Sequence, residues 1–239
     1  LIKIQRSAAW SDIARRIAHE IKNPLTPIQL SADRLKHKYL KNIKQDRDIF
    51  INCIDTIIRQ VSTMHRMVND FSTFAEMPRP IFQMININEI IIGCISMTKL
   101  ANKEITITSN LTKIKTIKLK ADPNLINQAY NNLIKNSLNS INEKLNAKTG
   151  KQDYKGKISI DIFNKNNFCM LVIKDNGIGL PDDKEYLTEP YISRSVKGSG
   201  LGLAVVKKIM QDHNGHIELE NNKNKNGAII SLLFPINLN

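Results

Sequence analysis

Aromatic side chains are scarce in this chain: one tryptophan, five tyrosines and seven phenylalanines make up 5% of its 239 residues. A protein that tracks single-stranded nucleic acid needs stacking platforms, and none is set among the basic residues here. Acids are the minority charge, 22 against 35 bases, which leaves a net charge of +13 and a pI near 9.6. The lysines are scattered among asparagine and isoleucine along the whole chain. Without a basic face or a nucleic-acid motif, the excess reads as compositional bias with some attraction for anionic ligands and acidic surfaces, and no nucleic acid is expected. Long apolar runs are missing too. No window approaches the roughly twenty uninterrupted apolar residues of a bilayer span, so no membrane contact is expected of this stretch. Cysteine is limited to Cys53, Cys94 and Cys169, odd in number, far apart and set in apolar patterns, which points to reduced, buried thiols in a cytosolic compartment and excludes a disulfide framework. The chain opens at Leu1 within a helical pattern, as a piece cut from something longer would.

What is present begins with a helix. Residues 3–40 place Trp10, Ala14, Ile17, Ile21, Leu25, Ile28, Ala32, Leu35 and Tyr39 at alternating spacings of three and four, a narrow coiled-coil type of seam. His19 lies about 160° to 200° around the helix from Ile17 and Ile21, so its imidazole is expected to face water. Arg15, Arg16, Lys22 and Asn23 are its neighbours one turn away and form a collar suited to a phosphate. Glu20 is placed to keep one ring nitrogen protonated while the other presents its lone pair. Pro24 and Pro27 each remove a helix hydrogen bond, at about 3 kcal/mol apiece. A plain alternative explains both: one helix ends near Lys22, a second starts at Pro24, and His19 is an ordinary surface residue. The seam running unbroken through the prolines argues against it.

After a polar connection at 41–45, residues 46–76 repeat the pattern with Phe50, Cys53, Ile57, Val61, Met64, Val68, Phe71 and Ala75. Two such helices make an antiparallel hairpin with one uncovered apolar side, which predicts a homodimeric four-helix bundle. Met77-Pro78-Arg79-Pro80 marks a boundary, giving domains at 1–77 and 81–239. Beyond it, helices are expected over 88–100, 123–144 and 201–211, and strands over 105–109, 117–120, 158–164, 168–175, 217–220 and 228–234. That order suggests an α+β sandwich with the helices on one face of a sheet.

Three elements within the second domain belong together. Asn132 and Asn136 share a helix face, where amide oxygens can help hold Mg²⁺ beside phosphates. Asp175-Asn176-Gly177-Ile178-Gly179 ends a buried strand and offers a carboxylate to an adenine amino group while bare backbone lets the base approach. Gly198-Ser199-Gly200-Leu201-Gly202 opens a helix whose amides and dipole suit a polyphosphate. A dinucleotide fingerprint is excluded, because a polar loop and not a strand leads into this run.

The wording HEIKNPLTPIQLSADRL, with LTEPYISRSVKGSGLGLAVVKKIMQDHNG and the Asn and Asp-x-Gly-x-Gly elements, resembles the catalytic half of bacterial two-component sensor histidine kinases, closest to the nitrogen-regulation sensors of NtrY type. The likeness covers nearly the whole chain. It implies a dimerisation and phosphotransfer hairpin followed by an ATP-binding sandwich of the Bergerat fold, shared with heat-shock-90 chaperones and type II topoisomerases. It further implies that Asn132 and Asn136 handle Mg-ATP, that Asp175, Gly177 and Gly179 read adenine, and that 181–199 is a mobile lid. Lys197, Gly198, Gly200 and Gly202 would border the phosphates, with Arg194 or Lys197 making the contact. Three places depart from the family pattern: the lid reads Ile192-Ser193-Arg194-Ser195 where relatives often have paired threonines before a basic residue, Asn214 stands where glycine is usual, and Asn139 where many relatives are basic.

These residues together predict ATP-dependent autophosphorylation of His19 and transfer to an aspartate of a response-regulator receiver, by resemblance an NtrX-like one. Glu20 and Asn23 also resemble the Glu-x-x-Asn pair that positions water to dephosphorylate a receiver. An upstream membrane-anchored sensory part is expected, with this segment on the cytoplasmic side. Two rivals are an ATP-hydrolysing chaperone-like or mismatch-repair-like protein and a non-catalytic dimeric scaffold. The first is disfavoured because Asn132 occupies the place of the hydrolytic cousins' glutamate and cannot activate water.

Overall fold

A computed structural model of the chain describes residues 2–40, 43, 45–112, 114–147, 154–190, 192, 200–222 and 227–236, with the side chains of 2–16, 19 and 185 outside that description. The chain divides into two compact units, a first holding Leu1–Pro78 and a second holding Arg79–Ile192 and Gly202–Asn239.

The first unit is a helical hairpin of α1 (Ile2–Tyr39) and α2 (Arg47–Ala75). α1 continues through Pro24 and Pro27, so the two-helix alternative at Lys22 does not hold. The turn between the helices is set by Asp46 in the left-handed region, φ 57°, and Lys36 Nζ meets Asp55 at 2.6 Å near this closed end. Ala18, Leu25 and Ala32 of α1 and Ile54, Val61 and Val68 of α2 are buried, two lines of seven-residue period. This divides the expected seam. Ile17, Ile21, Ile28 and Leu35 are each more than 40% exposed, as are Ile57, Met64 and Met67. A spacing alternating between three and four describes a stripe wide enough for two contact lines, and pairing two helices uses only one. Cys53 is exposed and Cys94 half-buried, which corrects the expectation that all three thiols are buried; Cys169 alone of the three is. The expectations placed on the Trp10, Ala14, Arg15, Arg16 and His19 side chains lie outside the described residues.

The second unit opens with β1 (Gln83–Asn86), α3 (Ile87–Ala101), β2 (Thr106–Ser109), β3 (Lys118–Ala121) and α4 (Pro123–Ala147). It continues through β4 (Lys157–Lys165), β5 (Phe168–Asp175), a 3-10 turn at Lys184–Thr188, α5 (Gly202–Asp212), β6 (His216–Asn221) and β7 (Ala228–Pro235). The main sheet runs β2-β4-β5-β7-β6, antiparallel except for the β2–β4 pair, and β1 pairs with β3 in a separate two-stranded ribbon. Alternation along the central strands decides the covered face. Ile158, Ile160 and Ile162 of β4, Leu171 and Ile173 of β5, and Ile230, Leu232 and Phe234 of β7 are all at most 4% exposed. Ala129, Tyr130, Leu133 and Ile141 of α4 and Val206, Ile209 and Met210 of α5 complete the core, a helical layer on one face. The β4–β5 turn places Asn166 and Asn167 at positive φ, the requirement of a two-residue hairpin turn that asparagine tolerates. The β1–β3 ribbon and the 3-10 turn were not expected from the sequence.

α4 positions the site, and its start is firmly fixed. The Asp122 carboxylate accepts from Asn124 N at 2.8 Å, Leu125 N at 3.3 Å and Ile81 N at 2.8 Å, with Pro123 at the first helical position. The Asp122 N–H donates to His213 Nε2 at 3.0 Å. The His213 Nδ1–H therefore donates to the Ile209 carbonyl at 2.8 Å.

Candidate functional site

One face of α4 carries Asn132, Asn136, Ser140 and Lys144 at intervals of four, with Ser137 beside them. Asn132 Nδ2 donates to the Gln128 carbonyl at 3.0 Å, which leaves Oδ1 turned to the start of α5. A Cβ built on Gly202 would stand 3.4 Å from Asn132 Oδ1 and 3.8 Å from both amide atoms of Asn136. The first residue of α5 thus sits against both amides. Asn136 is half-buried and makes no side-chain hydrogen bond among the described residues. Two amide oxygens converging beside a helix N-terminus fit a hard cation that keeps water and phosphate ligands. No cluster of three or more His, Cys, Asp or Glu occurs among the described residues.

Asp175 ends β5 and is 4% exposed. Its Oδ1 accepts from Gly177 N at 2.8 Å and Ala228 N at 3.3 Å. Burial pushes its pKa above the ordinary carboxylate value. Hydrogen bonds from Gly177, Ala228 and Ser137 and the Lys144 charge pull the other way without cancelling that rise. The loop it introduces is pinned from several sides. Lys144 Nζ donates to the carbonyls of Asn176 at 2.6 Å and Gly177 at 2.8 Å. The Tyr154 hydroxyl reaches the Asn176 carbonyl at 2.7 Å, Ile178 N donates to Ser140 Oγ at 3.0 Å, and Asn221 pairs with both backbone groups of Leu180 at 2.7 and 2.9 Å. A Cβ at Gly177 would fall 2.2 Å from Ser140 Oγ, so the loop lies on α4 only because that residue is glycine. Gly227, at φ +100°, has the same relation to Asp175, whose carbonyl oxygen would be 1.9 Å from a Cβ there.

Asn132, Asn136, Asp175, Gly177 and Gly202 therefore lie along one helix face and the strand and helix ends beside it. Gly179 and Gly200 take positive φ, 81° and 71°. Lys197, Gly198 and Arg194 lie outside the described residues. In the hairpin, Glu20 and Asn23 are exposed on α1, and His19 is helical there. Asn214 takes φ 54°, which accounts for glycine being usual at that position and for asparagine substituting. Lys135 and Asn139 line an open groove of about 900 Å³ between α3 and α4 that includes none of Asn132, Asn136 and Asp175. Sequence reasoning missed Ser137, Ser140, Lys144, Tyr154, Asn221 and Gly227. The helical period from Asn136 could have found Ser140 and Lys144; nothing in the sequence marks the others.

Residues 121–238 match the family of histidine kinase-, DNA gyrase B-, and HSP90-like ATPases, and residues 9–79 match the His Kinase A (phospho-acceptor) domain. The chain is 43% identical over 233 residues to the nitrogen regulation protein NtrY of Azorhizobium caulinodans, covering 97% of this chain and 29% of that one. It is 35% identical over 237 residues to a putative NtrY-like sensor histidine kinase of Rickettsia typhi, covering 99% of this chain and 38% of the relative. The chain thus spans about a third of the length of these curated relatives. Among solved structures it is similar to histidine kinase ThkA in complex with the response regulator TrrA, with a TM-score of 0.64 and 23% identity over 98% of this chain and 64% of that one. It is also similar to full-length ShkA in complex with AMPPNP, with a TM-score of 0.63 and 16% identity over 94% of this chain and 45% of that one.

Proposed function

The chain belongs to the sensor histidine kinases, and from that premise we propose that it binds Mg-ATP in its second unit, phosphorylates its own His19, and passes the phosphoryl group to an aspartate of a response-regulator receiver. The observation that carries this reading is the junction of Asn132 and Asn136 with the first residue of α5, next to a buried Asp175 at the end of β5. Residues 1–77 serve as the dimerisation and phosphotransfer domain and 81–239 as the catalytic domain. Asp175 accepts from the adenine amino group, and Gly177 and Gly179 leave room for the base. The N-terminus of α5, with Lys197, Gly198, Gly200 and Gly202, takes the phosphates. Asn132 and Asn136 would hold Mg²⁺, which neutralises phosphate charge when bound.

The neutral imidazole of His19 is the nucleophile. Its ring nitrogen bonds to the γ-phosphorus as the bond to the bridging oxygen breaks, and ADP departs with that electron pair. Glu20 orients the other ring nitrogen and receives its proton. The protein's contribution is positioning and charge neutralisation. Together Glu20 and Asn23 also direct water at a phosphorylated receiver, a second and opposing activity. The exposed line of Ile21, Ile28 and Leu35 on α1 with Ile57 and Met64 on α2 is closed by a second copy into a four-helix bundle. The receiver is NtrX-like, as expected for relatives of NtrY. The segment works on the cytoplasmic side of a protein anchored in the inner membrane. Among the described residues no helix is long and apolar enough to cross a membrane, in keeping with an anchor elsewhere in the whole protein.

The test is incubation with radiolabelled Mg-ATP. The native chain acquires an acid-labile, base-stable phosphoryl group, and His19→Gln loses it while still binding nucleotide. Equal labelling of the two proteins would remove His19 from the reaction, and release of phosphate with no covalent label would indicate a plain ATPase.

A further inference from the structure

The side chains that hold the loop after Asp175 act on its carbonyl groups, and this has a consequence for which base the site accepts. Lys144 Nζ donates to Asn176 O at 2.6 Å and Gly177 O at 2.8 Å. The Tyr154 hydroxyl stands 2.7 Å from the same Asn176 carbonyl and 3.0 Å from the Asn176 side-chain oxygen. The two clamping groups also meet each other, the ammonium lying 5.1 Å from the tyrosine ring centre. Asn176 is tied in turn to the neck of β4 through Lys155 O at 2.9 Å and Lys157 N at 2.8 Å. The peptide following Asp175 therefore has little freedom to rotate.

Resting on the reading of Asp175 as the adenine acceptor, we propose that Lys144 and Tyr154 are specificity-determining positioning residues, which hold the Asp175 carboxylate where it meets an adenine amino group and so make the site reject guanine nucleotides. Guanine presents a carbonyl oxygen where adenine presents its amino group. A fixed, ionised carboxylate is an acceptor only, so it bonds adenine and repels guanine. Two changes would remove the discrimination. A loop free to turn would let water bridge to either base, and a protonated Asp175 would donate to the guanine oxygen. Lys144 opposes both. Burial drives Asp175 toward the protonated form and the Lys144 charge counters it. Among the described residues the other ionisable group acting on it is the Tyr154 phenol, whose own pKa burial and the Asp175 charge raise to about 12, so it remains a neutral donor. β7 contributes only the Ala228 N–H, at 3.3 Å.

The experiment measures binding of Mg-ADP and Mg-GDP to the whole chain by calorimetry between pH 5 and 8. Lys144→Met is expected to weaken ADP about tenfold while GDP binding holds or tightens, because the Asp175 carboxylate loses its fixed, charge-assisted hydrogen bond to the adenine amino group. The acid limb of ADP binding moves to higher pH in this variant, and Lys144→Arg restores the preference. Tyr154→Phe, which keeps the ring over Lys144, narrows the preference in the same direction and carries the test if Lys144→Met does not fold. An equal loss for both nucleotides, or an unchanged ADP affinity, would overturn the inference. Asp175→Asn separates the two layers. If it leaves ADP affinity intact, the adenine reading has failed and this inference with it. If it weakens ADP while Lys144→Met and Tyr154→Phe keep the native preference, the positioning role alone is overturned.

Discussion

Replacing Asp122 by alanine should destabilise the second unit by about 3 kcal/mol, because three backbone donors converge on one carboxylate at 2.8, 2.8 and 3.3 Å. The three do not count equally. Ile81 is 77% exposed and Asn124 is exposed, so water replaces much of what their N–H groups lose. Leu125 is 3% exposed, and its orphaned N–H costs about 1 kcal/mol or more. The Asn124 and Ile81 bonds together add about 1 kcal/mol, and loss of an anion at the α4 N-terminus about 0.5. For a unit of this size, 3 kcal/mol corresponds to a fall in Tm of about 6 to 12 °C. The sign of the pH dependence follows from the same bonds. Burial alone would raise the Asp122 pKa, but the Ile81, Asn124 and Leu125 N–H groups hold it below its ordinary value. Its contribution is thus complete above about pH 4 and is lost as pH falls through the depressed value. Urea unfolding followed by circular dichroism, with the relevant transition identified by its shift on adding ADP, should show the gap between native chain and variant constant down to about pH 4 and narrowing below. Asp122→Asn, which keeps one acceptor, should fall between. A gap under about 0.5 kcal/mol at pH 7, or one that stays constant into strong acid, would refute the account.

Gly227→Ala should cost about 3 kcal/mol or more, since it combines φ +100° with a Cβ 1.9 Å from the Asp175 carbonyl oxygen; thermal unfolding and ADP affinity should fall together. Asn136→Ala should leave stability within about 0.5 kcal/mol, as the side chain is half-buried without a partner among the described residues, and should abolish phosphoryl labelling without dissociating the dimer. Acidification should weaken ADP binding at a pH above the ordinary 3.8 of an aspartate, because the Asp175 pKa is raised. The stability effect of Asp175 has the opposite sign: protonation relieves a buried charge, so its contribution to the fold is greatest in acid and is lost as pH rises through the raised pKa. Binding and stability measured over the same pH series separate these two signs.

Periodicity carried most of the fold. α4 and the alternating β4 and β5 follow directly from residues whose apolar spacing matches one element and not the other. The hairpin helices were equally plain, yet which of their apolar residues face each other was not. Ile21 and Leu25 are both apolar and one turn apart, but only Leu25 is buried by α2. A stripe records that a face is covered, not which helix covers which half of it. β1 escaped because Gln83–Asn86 has four residues of which Ile85 alone is buried, so that its pairing with β3 leaves almost no hydrophobic pattern.

The same distinction runs through the site. Asn132, Asn136 and Asp175 are legible because the nucleotide chemistry proposed for them restricts which residues can stand there. Tyr154 and Asn221 bond to backbone carbonyls and amides, which every residue supplies, so their partners leave no mark on the sequence. Glycine is the one residue that reveals such contacts indirectly. Gly177 must be bare because Ser140 lies beneath it, and Gly227 because the carbonyl of Asp175 does. Read with the helical period, the first of these glycines would have led from Asp175 to Ser140 and one turn onward to Lys144, the residue on which base selection is argued to depend.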